Sequence, residues 1–218
     1  MPTTEKVDVY RQFRSEYITP KKPSLVNIKP ARYLAITGRG EPGGAAFQSA
    51  TGALYNVAFT VKMARKFAGQ DYTVCKLEGL WWADDPTHCF ANQPRGTWNW
   101  KLMIRVPNFV EESDLKAAAE KLLAKGKPSE IGNVKLEVLD EGNCLQILHV
   151  GPYKQESATM TQMQAFAEKN GLEFHGLHHE IYLSDPRRVT AAKLRTIFRV
   201  PVKRTAALQT GQDATPVL

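Results

Sequence analysis

From Ala46 to Phe67, the residues Phe47, Leu54, Val57, Ala58, Val61 and Ala64 recur at helical spacing, which predicts a long helix with one buried face. Ahead of it, Lys29 to Arg39 carries Tyr-Leu-Ala-Ile-Thr-Gly, a strand that breaks at the glycines and proline of Gly-Arg-Gly-Glu-Pro-Gly-Gly. Behind it, Asp71 to Ala83 reads as a strand running into Trp81-Trp82-Ala83-Asp84-Asp85-Pro86. After a polar loop with Pro94 and Gly96, Trp98 to Val106 reads as another, closed by Pro107. Residues 5 to 30 mix charge with Tyr10, Phe13, Tyr17 and two Lys-Pro pairs, and predict a short helix and an extended arm.

The second half of the chain returns to the same order. Asn143 to Val150 is a strand that breaks at Gly151-Pro152, and Glu156 to Asn170 is a helix stopped by Gly171. Phe174 to Pro186 is a strand that again ends in Asp-Pro, and Lys193 to Val202 is the last strand. Leu102-Met-Ile-Arg-Val-Pro and Thr196-Ile-Phe-Arg-Val-Pro align, which sets Arg105 against Arg199 and Pro107 against Pro201. Two such matches inside one shared order of strand, helix, strand, strand predict an internal duplication. The expected boundaries are an arm over 1–27, repeat one over 28–110, repeat two over 134–204, and a frayed tail over 205–218. Glu111 to Lys125, rich in Ala, Leu, Glu and Lys, is a surface helix linking the repeats across 111–126.

This is the pattern of an α+β fold: two pseudo-twofold βαββ repeats forming one antiparallel sheet. With the helices on one face, the free faces are expected to meet as a concave groove on the other. Aligning the Asp-Pro pairs sets Trp82 opposite Tyr182 and Glu78 opposite His178, and period two then sends Val74, Lys76, Glu78, Leu80 and Trp82 toward the groove.

The chemistry concentrates in the second strand of the second repeat. Alternation puts Leu177, His179, Ile181 and Leu183 on one side, and His178, Glu180, Tyr182 and Ser184 on the other. Glu180 is either a solvent-facing residue on a one-sided sheet or a carboxylate kept among aromatics for a ligand or water to satisfy. Glu78 is a second acid, with a salt bridge to Lys76 or Lys101 as its structural alternative.

Composition adds limits rather than a function. With 43% hydrophobic residues in 218, the chain can build a core without staples. A net charge of +7 is scattered and unaccompanied by a helix-turn-helix, zinc knuckle or RNA motif, so no direct nucleic-acid binding is expected. Cys75, Cys89 and Cys144 lack disulfide or metal spacing, and no signal peptide or membrane span is visible, so a cytoplasmic protein is expected. His175, His178 and His179 do not make a metal site, because adjacent strand residues face opposite ways. Gly38-Arg-Gly-Glu-Pro-Gly-Gly lacks the spacing of a phosphate loop, and no Gly-x-Ser-x-Gly is present. No metal and no cofactor are expected.

The order of elements, His179-Glu-Ile-Tyr-Leu-Ser-Asp-Pro186 and the two Arg-Val-Pro endings resemble the GyrI-like small-molecule-binding family over roughly residues 28 to 203. The helix segment Tyr55-Asn-Val-Ala-Phe-Thr-Val-Lys62 and the linking helix look more like its single-domain branch, which includes cyclopropanoid cyclopropyl hydrolases. The resemblance implies that Glu180 meets flat, hydrophobic, drug-like ligands in the groove. In the hydrolase branch it further implies water attack on a cyclopropane carbon made electrophilic by a conjugated carbonyl.

On that basis Glu180 is the expected general base and Tyr182 the group that holds water or polarises the carbonyl. Trp82, Trp100 and Phe198 would stack on the ligand, Trp100 and Phe198 having the helix-facing core as their alternative, beside Glu78 and His178. Tyr55 reaches the groove only if its helix tilts toward it. The rival expectation is a binder without turnover, which sequesters drugs or reports them to a partner such as gyrase or a regulator. No DNA-binding domain is expected in the chain, and either a monomer or a homodimer fits.

Overall fold

The structure is a computed structural model that describes residues 5–84 and 93–205. Four α-helices and nine strands occur among them: α1 (Val9–Gln12), β1 (Ser24–Ile28), β2 (Ala31–Arg39), α2 (Ala45–Phe67), β3 (Leu77–Trp82), β4 (Asn99–Arg105), α3 (Glu112–Leu123), β5 (Lys135–Leu139), β6 (Gly142–Val150), α4 (Glu156–Lys169), β7 (Leu172–Phe174), β8 (His178–Tyr182) and β9 (Arg195–Arg204). The sheet is antiparallel in the order β1-β6-β9-β8-β3-β4-β2-β5, with β7 also paired to β9.

Each repeat contributes its helix to one face. The apolar stripe of α2 (Ala50, Ala53, Leu54, Val57, Ala58, Val61) packs on Leu34, Ile36, Trp100, Leu102 and Ile104 of β2 and β4. In the same way α4 sets Met163 and Ala167 on Leu145, Ile147, Phe198 and Val200 of β6 and β9. The helices thus cover the outer strands of their own repeats and leave β3 and β8, paired with each other at the centre, as a strip of sheet between them, called the trough below.

Several boundaries differ from those expected. Ser24–Ile28 pairs with β6 as an edge strand, so the arm boundary at residue 27 falls inside a strand. The run expected from Phe174 to Pro186 is two strands broken at Gly176, where an added Cβ would lie 2.5 Å from the Pro201 ring. The Asp85-Pro86 stop and the tail beyond Thr205 lie outside the described residues.

The duplication runs one residue out of step with the Asp-Pro alignment. Gly40 N–H donates to Trp98 O, and Gly151 N–H donates to Leu194 O, both from glycines at positive φ (122° and 137°), so Trp98 corresponds to Leu194. Counting two residues along each strand, Trp100 corresponds to Thr196. Trp81 pairs with Trp100 and Tyr182 with Thr196, so Trp81 and not Trp82 is the counterpart of Tyr182. Arg105 and Arg199 are likewise two residues out of equivalence, although they share a face.

A one-residue slip turns a strand over. Gly79, Trp81, His178, Glu180, Tyr182 and Phe198 therefore share the helix-covered face, while Glu78, Leu80, His179, Arg105 and Arg199 share the other. That second face carries no open groove at its centre, because the N-terminal arm closes it. Tyr17 is 4% exposed and packs on Ile181 and Ile197 with Phe13 and Tyr10 alongside.

Beneath the arm lies a buried ionic network. Tyr17 Oη donates to Glu78 at 3.0 Å, and His179 lies 3.0 Å from Glu78 through Nε2 and 3.0 Å from Glu141 through Nδ1. Arg199 reaches Glu141, Gln146 and the Glu16 carbonyl, while Arg105 pairs with the Glu16 carboxylate at 2.7 Å. Burial alone would lower the His179 pKa, but the charges and hydrogen bonds of Glu141 and Glu78 outweigh it and push it up to about 9. Burial would raise Glu141, yet His179 and Arg199 hold it down at about 2.

Candidate functional site

On the helix side, β8 delivers three polar side chains to the trough. Glu180 sits at the middle of the strand opposite Gly79 and is 5% exposed. His178, two residues before it, points the same way and places Nε2 3.2 Å from Glu180 Oε1. Tyr182, two residues after it, is hydrogen-bonded to Glu180 and accepts a hydrogen bond from Trp81 Nε1 at 3.1 Å. Burial first, and then the Glu180 charge and hydrogen bond, raise the Tyr182 phenol well above its ordinary value, so it stays a donor to Glu180.

Gly79 makes this packing possible. A Cβ there would lie 3.1 Å from Tyr182 Oη and 3.2 Å from Trp81 Nε1. The missing side chain leaves room for the Trp81–Tyr182 bond beside Glu180.

A second carboxyl enters from α4. Glu156, the first residue of that helix, is partly buried and interacts with Glu180 across the trough. Burial first, and the Glu180 charge second, push its pKa up to about 9, with Arg95 opposing. Tyr153, in the turn before α4, feels burial first and then both carboxylates, and rises to about 12. Arg95 lies 5.4 Å from the centre of the Trp98 ring, and Trp98 stands edge-on to Trp81 at 5.8 Å. The site therefore combines two carboxyls, two phenols and an imidazole beside the buried Trp81, which is 3% exposed and stacked on Phe47 at 5.8 Å.

The structure brings together Glu180, Tyr182 and His178, and moves other expected residues away. Glu78 is wholly buried on the opposite face, committed to Tyr17 and His179 instead of Lys76 or Lys101. Trp82 turns to that face as well, against the cluster of Tyr33, Leu80, Met103 and Leu139. Trp100, 1% exposed, is core: it meets Phe47 edge-on at 5.5 Å and its ring fills the space beside Gly38. Phe198 is fully buried, stacked on His149 at 5.0 Å and edge-on to His178 at 5.0 Å, so it supports the floor from beneath α4.

Tyr55 is half-buried on α2. Its phenol senses burial first, then Arg187 and Asp185, which places it near the turn after β8. It also borders a groove of about 380 Å³ between α2 and α3, with Phe59, Met63 and Leu122.

Trp81, Glu156 and Tyr153 were not expected in the site. Matching Gly40 with Gly151 instead of the Asp-Pro pairs would have found Trp81. Nothing local distinguishes Glu156 from any acidic first-turn residue. Cys75 and Cys144 are buried thiols whose pKa burial raises to about 12. Among the described residues no cluster of three His, Cys, Asp or Glu side chains is arranged to hold a metal ion, and no helix is long and apolar enough to cross a membrane.

The profile of the GyrI-like small molecule binding domain matches residues 21–203. An uncharacterized conserved protein from Listeria innocua superposes with a TM-score of 0.84 at 35% identity, covering 91% of this chain and 100% of its own. A hydrolase from Listeria innocua gives 0.81 at 34% identity, and another hydrolase structure from that organism 0.82 at 33%, with the same coverages. No curated protein matches the chain.

Proposed function

We propose that this chain, which belongs to the GyrI-like small-molecule-binding family, takes a flat, hydrophobic, electrophilic molecule into the trough between α2 and α4 and hydrolyses it. The observation that carries this reading is the buried cluster of Glu180, His178, Tyr182 and Trp81 on one face of β3 and β8, which the Glu156 carboxyl of α4 approaches closely enough for the two charges to interact. Two carboxyls facing one space are the groups needed to take a proton from water and supply one to the carbonyl oxygen that receives the electron pair. The likeness to hydrolase structures at 33–34% identity supports the same direction.

For a cyclopropane conjugated to a dienone, the step balances without a cofactor. Water attacks the less hindered ring carbon and a C–C bond of the cyclopropane breaks, its electron pair passing through the ring to the carbonyl oxygen. Glu180 takes the proton of the attacking water, and Glu156 supplies a proton to the phenolate that forms. The product is a ring-opened alcohol and phenol, one water heavier than the substrate. Tyr182 holds Glu180 in place, and Trp81 and Trp98 wall the aromatic body of the ligand.

The test is to incubate the purified protein with a cyclopropane-bearing DNA alkylator in 18O-labelled water and follow the mass. Hydrolysis predicts catalytic formation of a product carrying one labelled oxygen. Stoichiometric binding of intact compound, seen as quenched tryptophan fluorescence with no mass change, would reduce the protein to a sequestering binder.

A further inference from the structure

Behind the two carboxyls runs a line of buried contacts that the proposed chemistry does not use. His149 of β6 is 4% exposed, and its Nδ1 lies 2.8 Å from Thr159 Oγ1 on α4. Its ring lies flat on Phe198, 5.0 Å between centres at 7°. Phe198 meets His178 edge-on at 5.0 Å, and His178 contacts Glu180 at 3.2 Å. Thr159 is three residues after Glu156, less than one turn of the same helix. The contacts thus connect one carboxyl to the other through the sheet.

This line also answers a structural question about α4. Its N-cap, Gln155, makes no side-chain hydrogen bond to the helix, so no capping side chain fixes the first turn. The His149–Thr159 contact is a buried polar attachment of that turn to β6. Its burial between Phe198 and the helix lets a single hydrogen bond hold direction as well as distance.

We propose that His149 is a positioning residue for the site: through Thr159 it pins the first turn of α4 and so sets the separation of Glu156 from Glu180. The inference rests on the reading of those two carboxyls as acid and base. Among the described residues, the groups that face Glu156 are Glu180 from β8, Arg95 from the turn before β4, and Tyr153 from the turn before α4. Loosening the turn lets Glu156 swing away from Glu180 into water, where it titrates as an ordinary carboxylate.

The test uses the full chain with 13C-labelled glutamate carboxyls, the Glu156 signal assigned by its loss in Glu156→Gln. Three variants are compared: Thr159→Val, which keeps shape and removes the hydroxyl; His149→Phe, which keeps the stacked ring and removes Nδ1; and Thr159→Ser, which restores the hydroxyl. Thr159→Val and His149→Phe should lower the proton affinity of Glu156 at least tenfold, and Thr159→Ser should stay within threefold of wild type. Should His149→Phe fail to fold, the Thr159 pair alone decides. A wild-type Glu156 with raised proton affinity that Thr159→Val leaves unchanged, even with a lowered Tm, overturns the tether and leaves the acid–base reading standing. A wild-type Glu156 that titrates in the ordinary carboxylate range overturns both.

Discussion

Glu180 and His179 are neighbours in β8 and face opposite sides of the sheet: Glu180 enters the trough between the helices, while His179 lies between Glu78 and Glu141 under the N-terminal arm. One strand therefore serves two separate purposes. Its helix-side residues present a ligand site, and its arm-side residues join the two repeats to the arm through a network with almost no exposure to water.

The arm-side network predicts how stability depends on pH. The folded-state pKa of His179, about 9, is raised above the ordinary 6.5. Its contribution is therefore complete below about pH 6.5 and is lost as pH rises through about 9. The shift corresponds to on the order of 3 kcal/mol. Glu141, depressed from 4.5 to about 2, works in the other sense, with a contribution present above about pH 4.5 and lost as pH falls toward 2. Glu156, raised to about 9, also costs stability as pH rises above about 4.5, so the melts are compared in a Glu156→Gln background, where stability should be highest between about pH 4.5 and 6.5. His179→Leu should flatten the alkaline side and cost about 3–5 kcal/mol at pH 6, because it removes the cation between Glu78 and Glu141 and leaves them only Tyr17 and Arg199. An unaltered alkaline slope in that variant would contradict the assignment.

Trp100 and Trp81 should separate packing from binding. Trp100→Ala removes a core indole and should cost roughly 3–5 kcal/mol of stability by denaturant titration. Trp100→Phe, which keeps most of the packing, should leave ligand affinity within twofold. Trp81→Phe removes the donor to Tyr182 and part of the wall and should weaken ligand binding about tenfold, or about 1.4 kcal/mol. Equal effects of the two phenylalanine variants on affinity would count against the placement of the site.

Gly79→Ala tests the crowding at the trough floor. The added Cβ, 3.1 Å from Tyr182 Oη, must push that hydroxyl or the Trp81 indole aside by a few tenths of an ångström. Turnover of a cyclopropane probe is expected to fall at least tenfold while the Tm changes by only a few degrees. Full activity in this variant would show that the Trp81–Tyr182–Glu180 arrangement does not matter.

The two helices, the strands that carry Glu180 and Trp81, and the duplication were legible because each follows a period that burial enforces. The expectation of a groove on the helix-free face leaves out the N-terminal arm, which closes that face, and the Asp-Pro alignment that sets Glu78 and Trp82 beside Glu180 is an imperfect ruler. A slip of one residue sends Glu78 and Trp82 to the arm side, and it carries no penalty that a single sequence displays. The arm's role was hidden for another reason: Glu16 and Tyr17 look like surface residues until Arg105 and Arg199, distant in the chain, close over them. Glu156 acquires its character first from burial and then from the approach of Glu180, neither of which a local pattern encodes.

If Glu156 acts as the acid, turnover should decline as pH rises through about 9, where it loses its proton. Glu156→Gln should reduce turnover about 10- to 100-fold and abolish that alkaline decline. A variant that keeps the wild-type alkaline limb would assign the limb to another group.

The most direct test compares wild type with Glu180→Gln in the ring-opening assay at saturating probe, with affinity measured alongside by tryptophan fluorescence. The account predicts that probe affinity stays within a few-fold while the rate of water incorporation falls by about two orders of magnitude or more. Wild-type turnover in Glu180→Gln, with binding intact, would contradict it and move the chemistry to another group.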